Sequence, residues 1–147
     1  MPRQARKESS TGIFHVMMRG INHQNIFEDE EDNYRFINTL DRMRVRYDDD
    51  GEPCGTNCIY YAYCLMGNHF HLLIRERDES LGETVKRIAS SYVYYYNGKY
   101  GRDVHLFKER FKSEPVNDMA YFVTLLRYIH QNPVKAGMVM SVKDYAY

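Results

Sequence analysis

The stretch Cys58–Arg75, CIYYAYCLMGNHFHLLIR, consists of two strand-like runs about a short polar break. Cys58–Leu65 is rich in Tyr and Ile, which suit a pleated, half-buried surface. Gly67–Asn68 has the pattern of a two-residue hairpin turn, with Gly supplying positive φ, and His69–Arg75 is the returning strand. Residues i and i+2 of a strand point the same way, so His69 and His71 share one face. Phe70, Leu72 and Ile74 then face a core. Two adjacent imidazoles are a natural ligand pair for a divalent cation. Ordinary surface histidines give the same H-x-H pattern, but on a strand of Phe and Leu two imidazoles are costly unless something satisfies them. No third histidine stands near them in the sequence to complete a hydrolase-type zinc site.

Upstream, Ile13–Arg19 (IFHVMMR) is a strand flanked by Gly12 and Gly20. Asp32–Tyr47 places Phe36, Ile37, Leu40, Met43 and Tyr47 at helical spacing, and Asp48–Asn57 is a polar loop. Downstream, Ser80-Leu81-Gly82-Glu83 is a capping box. It opens a helix through Leu81, Val85, Ile88, Tyr92 and Tyr95 that should stop near Asn97–Gly98. A short strand is expected around Leu106–Val116. Asn117 or Asp118 then caps a last helix carrying Met119, Phe122, Leu126 and Ile129, which Pro133 should end. The order β-α-β-β-α-β-α is that of an α+β, ferredoxin-like (split β-α-β) antiparallel sheet with an added C-terminal helix. The whole chain, 1–147, reads as a single domain behind a basic N-terminal segment, residues 1–11.

Net charge is zero, which argues against a protein that coats DNA through bulk charge, yet the charges are sorted along the chain. Lys99, Arg102, Lys108, Arg110 and Lys112 against Asp103 and Glu109 give a local excess of three positive charges (five minus two). Arg3, Arg6 and Lys7 make a second basic cluster, while acid gathers at Glu28–Asp32 and Asp48–Glu52. Tyrosine is abundant, 14 of 147 residues, and suits both base stacking and half-buried strands. Cys54, Cys58 and Cys64 form neither a disulfide framework nor a C-x-x-C metal site. With no membrane-length apolar run and no signal core, a cytoplasmic location is expected.

On the last helix Tyr128 and Asn132 lie four apart and share a face. Tyr128 is rotated off the apolar stripe of Phe122, Leu126 and Ile129 onto a mixed flank, where its hydroxyl could be reached. A phenol is a poor nucleophile unless its proton is removed or its target polarised. A cation held by His69 and His71 would polarise a phosphate for attack by Tyr128. The resulting phosphotyrosine ester keeps the energy of the broken link, in keeping with the lack of a G-x-x-x-x-G-K-[ST] loop.

Met66-Gly67-Asn68-His69-Phe70-His71-Leu72-Leu73, followed by Tyr128-Ile129-His130-Gln131-Asn132-Pro133-Val134-Lys135-Ala136-Gly137, resembles the HUH single-tyrosine transposases. The nearest branch is that of the REP-associated tyrosine transposases. His15-Val16 with Arg19-Gly20, and Phe107–Lys112, fit the same family. The resemblance implies a fold that binds single-stranded DNA, often at hairpins, with Mg²⁺ or Mn²⁺. It implies that His69 and His71 are metal ligands and that Tyr128 forms a 5′-phosphotyrosine. It also implies a carboxamide about one turn after the tyrosine as third ligand, assigned to Asn132 with Gln131 as the alternative. Phosphate contacts are expected at Arg19, Lys108, Arg110, Lys112 and Lys135. The family contains dimers and monomers, so a homodimer is one expected state. Two other functions compete: a domesticated, non-catalytic nucleic-acid-binding module, and a metal hydrolase that uses the histidines without a covalent step.

Overall fold

The computed structural model describes residues 7–108 and 110–135, the last four of these as helix backbone. Ten elements follow the chain: β1 (Ile13–Arg19), a 3₁₀ turn (Ile21–His23), α1 (Glu30–Met43), β2 (Val45–Tyr47), β3 (Pro53–Thr56), β4 (Cys58–Leu65), β5 (His69–Glu76), α2 (Leu81–Tyr100), β6 (Lys112–Pro115) and α3 (Met119–Lys135). Four strands form one sheet in the order β4-β5-β1-β6, with every neighbouring pair antiparallel. Strand β5 lies between β4 and β1 in the sheet. Pro115 sits on the edge strand β6, where its missing N–H is tolerated.

The two sheet faces are covered differently. On one, Phe14, Val16, Met18, Phe70, Leu72 and Ile74 pack with Phe36 and Leu40 of α1 and Leu81, Val85, Ile88 and Tyr92 of α2. On the other, Leu125 and Ile129 of α3 close over Ala62, Cys64, Met66, Leu73 and Val116. Central β5 is therefore buried on both sides, whereas β1 alternates along its length.

Several boundaries differ from the sequence expectation. Helix α1 ends at Met43, not Tyr47, because Asn57 Nδ2 donates to the carbonyls of Met43 and Val45 and draws the chain into the β2–β3 ribbon. The polar loop is thus largely a hairpin, its turn tied by Asp48 Oδ1, which accepts from the N–H groups of Asp50 and Glu52. Helix α2 runs on to Tyr100 and is capped by Gly101 at φ 64°, a left-handed position that glycine takes without steric cost. Regular pairing downstream is confined to Lys112–Pro115, with Phe107 bridged separately to Gly20. Asp118 caps α3 by accepting from Tyr121 N–H. That helix continues past Pro133 to Lys135; the proline lacks the N–H that would pair with the Ile129 carbonyl, and only two helical residues follow it.

The β4–β5 turn also forms otherwise than expected. Neither Gly67 nor Asn68 has positive φ. The tip is shaped by docking: Gly67 O accepts from Ile26 N (2.9 Å) and Phe27 N (3.1 Å), and Asn68 O accepts from Gly20 N (2.8 Å). Gly20 lets the turn that follows it fold back closely, since a Cβ there would come within 2.3 Å of Gln24 O.

Candidate active site

The β1–β5 register builds the site. Met17 pairs with His71 and Arg19 with His69, so His15, Met17 and Arg19 project on the same face as the two imidazoles. That is the face α3 covers. His71 is buried and His69 half-buried, with ring centroids 5.1 Å apart. Phe70 between them is fully buried on the opposite face, as alternation requires.

Helix α3 brings Tyr128 edge-on to His71, with centroids 5.9 Å apart and rings at 87°. The same ring meets His15 at 6.4 Å. Ile129 anchors that helix in the core, and Tyr128, one position along, is 40% exposed. The phenol and the imidazole pair, far apart in sequence, are therefore neighbours.

A third histidine, distant in the sequence, packs beside the pair without completing a metal cage among the described residues. His15 stacks on His71 with centroids 5.2 Å apart and an interplanar angle of 14°, and its Nε2 lies 3.0 Å from His71 Nδ1. Its ring partner His71 is 56 residues away, and in the sequence only the family resemblance at His15-Val16 and the alternation His15, Met17, Arg19 point to the shared face. Asn68, which reads as a turn residue, likewise contributes: its Oδ1 lies 2.7 Å from His69 Nδ1.

Burial drives the His71 imidazole down to about 3, with His15, His69 and Arg19 acting in the same direction. Burial also lowers His69, aided by Arg19, and lowers His15 against the opposing pull of Glu114. Neutral imidazoles are the form that offers a lone pair to a metal. Among the described residues no three His, Cys, Asp or Glu side chains form a metal cage. The donor set therefore suits a hard divalent cation only if an amide, water or substrate oxygen adds to the two imidazoles.

Of the predicted phosphate contacts, Arg19, Lys108, Arg110 and Lys112 line one cleft with Met17 and Met18. Its volume is about 30 Å³, enough for a water-sized group. It is a notch that a phosphate oxygen could enter, beside the imidazole face through Arg19. The side chains of Asn132 and Lys135, and the residues Arg3, Arg6 and Glu109, lie outside the described residues. The helical backbone does keep position 132 one turn beyond Tyr128.

The chain matches the family described as "Transposase IS200 like" across residues 8–132. It belongs to the IS200-like transposases. A Haemophilus influenzae relative named for the REP-associated tyrosine transposases is 27% identical over 97 residues, 58% of this chain and 55% of that one. The chain thus spans about half the length of that curated relative. Among solved structures, a REP-associated tyrosine transposase bound to a REP hairpin shares the fold at TM-score 0.77 and 16% identity, over 100% of this chain and 81% of that one. A Deinococcus radiodurans R1 structure grouped with transposases gives TM-score 0.55 and 11% identity, over 88% and 97%. No described helix of this IS200-like family member is long and apolar enough to cross a membrane.

Proposed function

We propose that this IS200-like family member nicks and rejoins hairpin-forming single-stranded DNA, in transposition or in processing of REP-type hairpins, with Tyr128 as nucleophile. The observation that carries this reading is the edge-on packing of Tyr128 against His71 and His15 on the imidazole face. His69 and His71, with a carboxamide from Asn132 one turn after the tyrosine, would hold Mg²⁺ or Mn²⁺. Such a cation supplies Lewis-acid polarisation of the scissile phosphate.

The chain's own groups do the rest. Tyr128 Oη gives up its proton and bonds to phosphorus, and the 3′ oxygen leaves as a hydroxyl, so the 5′ side stays on the protein as a phosphotyrosine ester. Reversal with a second 3′-hydroxyl rejoins strands without ATP. Arg19 and the Lys108, Arg110 and Lys112 cations border the notch beside the site and would hold the flanking backbone, with Lys135 as a further contact. The DNA-bound state of the structural relative supports a hairpin substrate by analogy of fold.

The decisive assay incubates a labelled hairpin oligonucleotide with the chain and Mn²⁺. A denaturation-resistant adduct that vanishes in Tyr128→Phe is expected. Binding without adduct would favour a non-catalytic module, and cleavage surviving Tyr128→Phe would favour a hydrolase.

A further inference from the structure

Each ring of the imidazole pair has its Nδ1 engaged by a neighbour. His69 Nδ1 lies 2.7 Å from Asn68 Oδ1, and His71 Nδ1 lies 3.0 Å from His15 Nε2. An amide oxygen only accepts, so this contact requires the proton of neutral His69 on Nδ1. Asn68 is oriented for that task. Its Nδ2 faces the His23 carbonyl at 3.5 Å, and its backbone carbonyl accepts from Gly20 N at 2.8 Å. The β1–α1 connection thus holds the hairpin tip from which His69 projects.

The His15–His71 contact has two proton assignments. If His71 donates Nδ1–H to His15 Nε2, the lone pair of His71 is on Nε2, matching His69. If His15 donates instead, the Nε2 of a neutral His71 carries the proton and does not ligate. Only the first gives both rings the same ligating atom. His15 is held against His71 by its place on β1, opposite Glu114 of β6.

We propose that His15 and Asn68 are positioning residues that fix the Nδ1–H tautomers of His71 and His69, so that both Nε2 atoms serve one divalent cation. This rests on the reading of the pair as cation ligands, and it names the groups that set their protonation pattern. A role for His15 as mere filler between β1 and α3 makes a different prediction, because phenylalanine would then replace it at least as well as glutamine. Phenylalanine keeps a ring to stack and loses the acceptor; glutamine keeps an acceptor near the Nε2 position and loses the ring.

Long-range ¹H–¹⁵N correlations of the metal-free, ¹⁵N-histidine-labelled chain read the tautomers directly. Nδ1–H at both His69 and His71 is expected, and Nε2–H at His71 overturns the role of His15. Mn²⁺ titration of wild type, His15→Phe, His15→Gln and Asn68→Ala, with His71→Ala as control, is the second arm. His15→Phe and Asn68→Ala should weaken Mn²⁺ binding by about 10–100-fold, with His15→Gln within about threefold of wild type. Equal affinity in wild type and His15→Phe, with binding lost in His71→Ala, overturns the inference and leaves the cation site standing. Wild-type protein that binds no Mn²⁺ overturns the cation reading itself.

Discussion

The two faces of the β1–β5 pair come from the same seven residues of β1 and eight of β5 and do opposite things. Phe14, Val16, Met18, Phe70, Leu72 and Ile74 are fully covered by α1 and α2 and hold the sheet to its helices. One step along each strand, His15, Met17, Arg19, His69 and His71 face α3, which seals only part of its side and leaves Tyr128 40% exposed. The period of two lets neighbouring residues be selected independently, one set for cohesion and one for chemistry. Polar groups on the α3 face are bearable because they satisfy one another, as His15 with His71 and Asn68 with His69.

The sharpest way to break this contrast is on the chemical face. Tyr128→Phe should remove the covalent adduct altogether while changing stability by less than about 0.5 kcal/mol, as for other half-exposed sites. A large loss of stability in urea would instead make Tyr128 part of the core. His69→Ala should likewise abolish cleavage and leave DNA binding largely intact, and equal loss of both would contradict a mainly catalytic role. Its immediate neighbour should behave in reverse. Phe70→Ala opens a cavity under α1 and should cost about 3–5 kcal/mol in urea denaturation. Adduct yield per folded molecule should hold. Between these extremes lies Gly20→Ala, which pushes a methyl against Gln24 O and so disturbs the tip that aims His69. A cost of about 1–3 kcal/mol is expected, with a loss of cleavage that exceeds the folded fraction lost.

The cohesive face was the more legible in the sequence. Ile13–Arg19 and Cys58–Leu65 were read with the bounds the structure has, because alternation and flanking turns are local signals. The pairing of His69 and His71 on one side followed from the strand period, and the return of Tyr128 to it only from the family resemblance. What stayed hidden was settled at long range. The stripe through Met43 and Tyr47 continues on paper, and only the amide of Asn57, 14 residues beyond Met43, shows why the helix stops. Gly67 suggests a free hairpin turn, but its geometry is imposed by Ile26 and Phe27. His15-Val16 fits the family pattern, but the contact of His15 with His71 joins residues 56 apart and is not written in the sequence.

The smallest expected effect lies on the helix layer and sharpens the contrast through pH. Lys99 of α2 reaches back to the start of α1, with Nζ 2.7 Å from Asp29, 3.0 Å from Asp32 and 3.1 Å from Glu31. Asp32 is fully buried and also accepts from Tyr95 Oη, Tyr100 Oη and Glu28 N, so this corner joins α1 to α2 away from the imidazoles. The Lys99 ammonium, helped by the Asp32 N–H, holds the Asp29 carboxyl below the usual carboxylate range, and these carboxylates hold Lys99 above its own. A depressed carboxyl contributes stability that is present above its unfolded value near ~3.9 and lost as pH falls through the lower folded value. A raised amine contributes below ~10.4 and loses its share only as pH rises beyond that. The stability gap between wild type and Lys99→Met should therefore be flat from about pH 5 to 10, shrink below about pH 4, and narrow in 1 M salt because Asp29 and Glu31 are half-exposed or more. Adduct formation per folded molecule should not follow this profile. If Lys99→Met instead shifts the pH dependence of adduct formation, the helix layer is coupled to the imidazole face, and the division of labour between the two sides of β1 and β5 is less complete than their alternation suggests.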